Sequence, residues 1–88
     1  MANKSGYEDI DMLVDPDDVV VVISRRKSNG RLALAFMKQF ERDGDKDRSA
    51  FLAPNQLNAV RRLLPLAEAR LAELVEQGVG TLPPEPRS

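Results

Sequence analysis

The sequence predicts an α+β domain in the order β-β-β-β-α, a four-stranded antiparallel meander followed by one long C-terminal helix. Three observations carry this. Val19 to Ile23 is an unbroken run of β-branched residues, which crowd a helix and suit a strand covered on both faces. A turn at Asp15-Pro16-Asp17-Asp18, a turn from Ser24 to Arg31 that contains Asn29-Gly30, and a charged, Gly-containing loop from Arg42 to Asp47 divide the first half into short segments. From Pro54 onward the apolar spacing changes from two residues to three and four, and it holds as far as Gly78.

Taken in order, residues 1–9 are polar and read as a flexible N-terminal segment. Residues 10–78 form the domain, and residues 79–88, with Pro83, Pro84 and Pro86, read as a flexible tail. Ile10, Met12 and Val14 alternate with Asp11 and Leu13, a weak strand signal. The Asp-Pro turn then leads into the β-branched strand. Asn29-Gly30 is a hairpin signal, because both residues tolerate positive φ. Leu32, Leu34, Phe36 and Phe40 follow at period two, giving a third strand with one large apolar face. The intervening Ala, Met, Lys and Gln also suit a helix, but the hairpin turn and the alternation favour a strand. Arg42 to Asp47 reads as a charged loop, and Arg48 to Leu52 as a short final strand. Pro54 fits a first helical turn, where its missing N–H costs nothing. Leu57, Val60, Leu64, Ala67, Leu71 and Leu74 make one apolar stripe near a heptad seam. Pro65 interrupts it and predicts a kink or two abutting helices; Gly78 and Gly80 end the helix.

Eighty-eight residues, 42% hydrophobic and 31% charged, describe a single small folded domain. With no Cys there can be no disulfide or thiolate metal site, and with no His the commonest general base is missing. No Asp or Glu pair sits on a catalytic motif, so the chain is expected to bind rather than catalyse, with no cofactor. Asp43-Gly44-Asp45 resembles the start of a calcium loop. The twelve-residue pattern with its terminal Glu is missing, so no metal is expected. No apolar run approaches the ~20 residues that cross a bilayer. The start MANKSGYEDID lacks the basic-then-apolar order of a signal peptide. The expected compartment is the cytoplasm, with nucleoid association if the source is bacterial or phage.

The net charge of −1 hides an asymmetry. Residues 1–23 carry one Lys against six acids, residues 24–48 eight basic residues against four acids, and residues 49–88 four of each. Phosphate contact depends on local potential, so the basic middle third points to nucleic acid. Arg25, Arg26, Lys27 and Arg31 bracket the hairpin turn, while Lys38 and Arg48 lie on the strands beyond it. Phe51 alternates with Ala50 and Leu52. It is either a stacking platform for bases or part of the core. Tyr7 reads as an ordinary surface tyrosine, and Arg61 and Arg62 as helix-surface or dimer ion-pair groups. Three Phe and one Tyr are a thin aromatic supply, so binding should be dominated by backbone charge, sensitive to salt and tolerant of sequence. One helix covers only part of one sheet face. The surplus of the stripe (Leu57, Val60, Leu64, Ala67, Leu71 and Leu74) is therefore expected to form a homodimer interface. The alternative is a protein-interaction module that docks a protein partner without touching nucleic acid.

The run VVVVISRRKSNGRLALAFMKQFERDGDKDRSAFLAPNQLNAVRRLL resembles the single-stranded-DNA-binding domain of the positive-cofactor-four transcriptional coactivators and their bacterial and phage relatives. A basic strand turns at Gly into an alternating apolar strand. A charged loop, a short strand and a long amphipathic helix follow, and Leu52-Ala53-Pro54-Asn55-Gln56 is the nearest match to the family's strand-to-helix junction. The resemblance covers about residues 10–75. It implies a curved four-stranded sheet, a helix-mediated dimer and single-stranded DNA or RNA along the β-surface, in transcription, replication or repair and alongside proteins of those processes. By position, Arg26, Lys27, Arg31, Lys38, Arg48 and Phe51 would carry the binding. The chain departs from the family in having Ala33 and Ala35 where aromatics are usual, and in its acidic N-terminal segment. Purine-rich-element-binding and Whirly-type proteins share a similar β-β-β-β-α plan.

Overall fold

The computed structural model describes residues 6–82; residues 1–5 and 83–88, most of the expected flexible ends, lie outside the described residues. Four strands, β1 (Tyr7–Asp15), β2 (Val19–Arg26), β3 (Leu32–Arg42) and β4 (Asp45–Ser49), form one antiparallel sheet in sequence order. A 3-10 turn (Pro54–Gln56) leads into helix α1 (Leu57–Glu76). The fold is the α+β meander with a C-terminal helix that the periodicity predicts.

Helix α1 lies over β1 and β2. Val19 and Val21 of β2 pack against Ala59, Leu63 and Ala67 of the helix, with Leu13, Phe36, Leu52 and Val60 around them. A second cluster joins Ile23, Leu32 and Leu74, flanked by Ile10, Leu71 and Val79. Ala59 and Ala67 have no bulk beyond Cβ, so the helix approaches the sheet closely at both ends of this contact. Val20 and Val22 point to the opposite face and are also buried. Their neighbours there are Met12 and Val14 on one side and Ala35 and Met37 on the other, and among the described residues no element crosses that face. This is why the β-branched run has no polar alternation: β2 is the central strand of the packed half, covered by helix on one face and by its own neighbours on the other.

Four local features differ from the sequence expectation, each for a physical reason. First, β1 starts at Tyr7, and its register shifts between Asp9 and Asp11. The bulge puts both Ile10 and Asp11 on the helix side, so Leu13 rather than Met12 and Val14 continues the core. Second, the turn before β3 is not a two-residue Asn-Gly turn. Asn29 has no positive φ, and the loop spans Lys27 to Gly30, closed by Arg26 N–H to Arg31 O at 2.8 Å and Gly30 N–H to Arg26 O at 2.7 Å. Third, the charged segment expected to be a loop is instead a hairpin. Asp43 and Gly44 take φ of 52° and 84°, the signature of a two-residue type I′ turn, and Arg42 pairs with Asp45. The final strand is therefore Asp45–Ser49, not Arg48 to Leu52. Fourth, of the two alternatives at Pro65, a kink or two abutting helices, the second is not found: α1 runs through Pro65 as one helix.

Beyond Glu76 the chain turns at Gly78, whose φ of 77° ends the helix in a Schellman motif. Val79 N–H donates to Leu74 O at 2.9 Å and Gly78 N–H to Val75 O at 3.0 Å, while the Val79 and Leu74 side chains share a cluster. The next residues are pinned to the sheet. Thr81 bridges Arg31 in parallel, with Leu32 N–H to Thr81 O at 2.7 Å and Thr81 N–H to Gly30 O at 2.9 Å. Gly80 is required here, because a Cβ at that position would meet Leu32 Cδ2 at 2.6 Å and Gly30 O at 2.9 Å. Residues 79–81 are thus part of the domain rather than the start of a free tail.

The pairing is strongly staggered. β2 pairs with β3 from Leu32 to Lys38, while β4 pairs with β3 from Lys38 to Arg42. Only Lys38 has a partner on both sides. The outer half of β3 and all of β4 therefore form a two-stranded arm, joined to the remainder by Gln39 N–H to Asp18 O at 2.7 Å.

Candidate nucleic-acid interface

The cations divide into two groups, those used to hold the fold and those left open. Arg25 belongs to the first. It is on the helix side of β2, where its guanidinium donates to Glu8 Oε2 at 2.8 Å and to Val79 O at 2.7 Å, tying β1 to the chain beyond the helix. This removes Arg25 from the candidate binding set. Arg62 is the other clamp, with two parallel bonds to Asp15 (Nε to Oδ1 at 2.9 Å, Nη2 to Oδ2 at 2.8 Å) and one to Asp17 at 2.7 Å. Asp15 is only 5% exposed. The Arg62 bonds, helped by the Asp17 N–H, hold its carboxyl down at about 2. Arg70 does the same for Asp11, donating from Nε to Oδ2 at 2.7 Å, and also bonds Glu73. That bond lowers the Asp11 carboxyl as well. Two acids of the N-terminal strand, Asp11 and Asp15, are therefore matched to the helix, while Glu8 is matched to Arg25.

Apart from Arg61, which bonds Asn58 on the helix surface, the open cations are Arg26, Lys27, Arg31, Lys38, Lys46 and Arg48, none of which forms an ion pair with another described residue. Strand alternation places Arg26 on the sheet face opposite the helix, directly across from Tyr7, whose ring centroid is 5.9 Å from the guanidinium. Lys27 and Arg31 flank the same exposed hairpin, beside an open cleft of about 490 Å³ that Arg26, Lys27, Gly80 and Thr81 help to line. Arg48 pairs with Gln39, and Lys46 with Glu41, which puts both on the face opposite the helix, along the arm. Between the two basic ends of that face lies the apolar strip of Met12, Val14, Ala35 and Met37. Lys38 is different, since it lies on the helix-side face of β3 beside Ser49.

The expected set is therefore only partly brought together. Arg26 and Arg48 lie on one face, Lys27 and Arg31 flank the hairpin turn next to Arg26, Arg25 is used structurally, and Lys38 is on the other side. Phe51 lies outside β4 and is 83% exposed, while Leu52 packs against the core. Lys46 is an open cation of the sheet that lies outside the expected set. Its signal was the Asp-Gly turn, which fixes the register that sets Lys46 and Arg48 two residues apart on one strand.

The helix stripe also divides. Ala67 and Leu74 are buried in the domain's own core, at 0% and 2% exposure, and cannot form a dimer interface. Val60 and Leu71 are half-buried, and Leu57 and Leu64 are exposed. The correction has a simple cause. The helix is rotated to bring Ala59 and Leu63 down and to carry Arg62 and Arg70 to the β1 carboxylates. The predicted stripe is left partly on the flank that looks along β3.

No family model, curated protein or solved structure matches the chain. Among the described residues, no helix is long and apolar enough to cross a membrane, and no group of His, Asp or Glu is arranged to hold a metal.

Proposed function

We propose that the protein binds single-stranded DNA or RNA as a homodimer, with little sequence preference, and that it is not an enzyme. The observation that carries this reading is the grouping of Arg26, Lys27 and Arg31 at one exposed hairpin. None of the three is matched by a carboxylate among the described residues, although the chain has carboxylates enough to match them. Cations track phosphates, and the apolar strip between Arg26 and Arg48 offers unstacked bases a surface that a duplex, with its bases inside, has no use for. The likeness to positive-cofactor-four coactivators supports the same site and suggests a role wherever strands are held apart, in transcription, replication or repair. That role places the protein with cytoplasmic or nucleoid nucleic acid and involves neither a cofactor nor a membrane.

Fluorescence anisotropy with a labelled oligonucleotide at several salt concentrations tests it. Single-strand affinity should fall steeply with salt. Replacing Arg26, Lys27 and Arg31 together by Gln should reduce the slope of log K against log salt by about 2, at ~0.7 per lost phosphate contact. An absence of binding at low salt ends the reading. An unchanged slope in the triple variant moves the site elsewhere. The exposed apolar flank beside β3 favours a second reading, a module that docks a protein partner, which a pull-down with no oligonucleotide affinity would support.

A further inference from the structure

Three Phe and one Tyr are the aromatic rings of the chain, and the sheet register separates them. Phe36 pairs with Val21 on the side that packs against α1, and alternation puts Phe40 on that same side. Phe51 follows the last strand and has no position in the register. Pairing places Tyr7 on the face opposite the helix, directly across from Arg26. The guanidinium lies 5.9 Å from the ring centroid, and the tyrosine is 36% exposed. The chain beside Tyr7 is tied to the basic hairpin, since Lys27 N–H donates to the carbonyl of Gly6 at 2.6 Å. Charge is uneven around the pair. Lys27 and Arg31 flank the turn just beyond it and form no ion pair with another described residue. On the inner side, Asp9 accepts the Ser24 hydroxyl at 3.0 Å.

We infer that Tyr7 and Arg26 form a base-stacking subsite, which holds one unpaired base of a single strand against the ring–guanidinium pair while Lys27 and Arg31 take the neighbouring phosphates. The subsite rests on the nucleic-acid reading of the preceding section and deepens it by giving this face a contact to bases as well as to phosphate. Every base has a π-face, and both tyrosine rings and arginine guanidinium planes stack on it. Arg26 has no carboxylate to neutralise it among the described residues, so its charge is available to a base through cation–π attraction. A ring–guanidinium pair can also serve only to staple two strands. Here the same ends of β1 and β2 are already stapled on the helix side, where Arg25 donates to Glu8 Oε2 at 2.8 Å. The surrounding charges orient the strand. Asp9 repels phosphate from the inner side of the pair, while Lys27 and Arg31 attract it on the side of the turn. The backbone of the bound strand therefore passes along the hairpin, and the base points in over the sheet.

The full chain has one Tyr and no Trp, so its intrinsic emission reports on Tyr7 alone. Titration with a short oligothymidylate should quench that emission, whereas inorganic polyphosphate, which carries the charge without bases, should bind and leave it largely unchanged. By anisotropy, Tyr7→Leu should weaken oligothymidylate binding at least about fivefold, and Tyr7→Phe, which keeps the ring, should stay within about twofold of wild type. Circular dichroism confirms that both variants fold. Because Tyr7→Leu removes no phosphate contact, the slope of log K against log salt and the affinity for polyphosphate should be those of the wild type. A Tyr7→Leu variant that loses salt slope and polyphosphate affinity as well makes Tyr7 only a support for Arg26, and overturns the stack. Oligothymidylate binding with unchanged tyrosine emission, or with wild-type affinity in Tyr7→Leu, also overturns it and leaves the nucleic-acid reading standing. No binding of any oligonucleotide at low salt overturns both.

Discussion

At the scale of the residue, the acidic N-terminal third and two arginines of the helix answer one another. Asp15 is the most buried carboxylate among the described residues, and its two oxygens take the two parallel N–H groups of Arg62. A guanidinium presents those donors in a fixed plane, so Lys at position 62 would keep the charge and lose the fit. Because the folded-state value of Asp15 is depressed to about 2, its contribution to stability is complete above the ordinary carboxylate value of roughly 4 and is lost as pH falls toward 2. Asp11 shifts in the same direction for the same reason. The urea midpoint should therefore be nearly flat from pH 7 to 5 and fall steeply below about 4. Asp15→Asn should lower the midpoint at neutral pH and flatten the acid limb. An acid limb unchanged in the variant would show that other carboxylates govern it. This clamp was not legible in the sequence. Its partners are 47 residues apart, and Arg61-Arg62 offered no local sign of which arginine would turn to the sheet. The structure separates them, with Arg61 bonded to Asn58 on the helix surface and Arg62 bonded to the strand side.

At the scale of the element, the sequence is most informative where side-chain shape decides the backbone. The β-branched run became the central strand and the three-and-four spacing became the helix, because both signals report backbone sterics and burial directly. It was least informative where a turn type overrides composition. Asp-Lys-Asp-Arg-Ser has poor strand propensity, yet the type I′ turn at Asp43-Gly44 returns these residues in register beside β3. The helix rotation was hidden for a related reason, since alanine gives a weak hydrophobic signal and Ala59 proved to be fully buried in the cluster with Val19 and Val21. At the helix start, Gln56 Oε1 accepts the Ala53 N–H at 2.9 Å, so the junction after Leu52 is closed by a side chain reaching back. Pro65 is the element's weak point. It is exposed, lies mid-helix and leaves the Arg61 carbonyl without its usual intrahelical donor. Pro65→Ala should stabilise the protein by about 1–3 kcal/mol, read as an increase in denaturation free energy. A loss of stability would mean that Pro65 is needed to bring Leu71 and Leu74 onto the sheet.

At the scale of the whole molecule, the stagger of β3 separates a packed half from an open arm. In the packed half, helix, strap and three strands close on two apolar clusters. In the arm, Glu41 to Arg48 are all exposed. Local opening requires little where few apolar contacts must be broken. Amide exchange should thus be fast at the bonded positions of Phe40 to Lys46 and slow from Val19 to Ile23, with a ratio of at least about a hundredfold. Uniform exchange would mean that the arm and the packed half open as one unit. Composition indicated only the overall bias toward this layout. The basic middle third does hold the open cations, but Arg25 could be excluded only once Glu8 and Val79 were seen on either side of it.

The stagger also makes the molecule modular. Since pairing beyond Lys38 involves only β3 and β4, two residues added to each strand before the Asp43-Gly44 turn would preserve every inward and outward assignment and lengthen the arm by ~7 Å, at ~3.4 Å per residue. No position in either apolar cluster would change its neighbours. The reach of the arm is therefore a dimension that insertion or deletion can adjust in two-residue steps, independently of the core that keeps the chain folded.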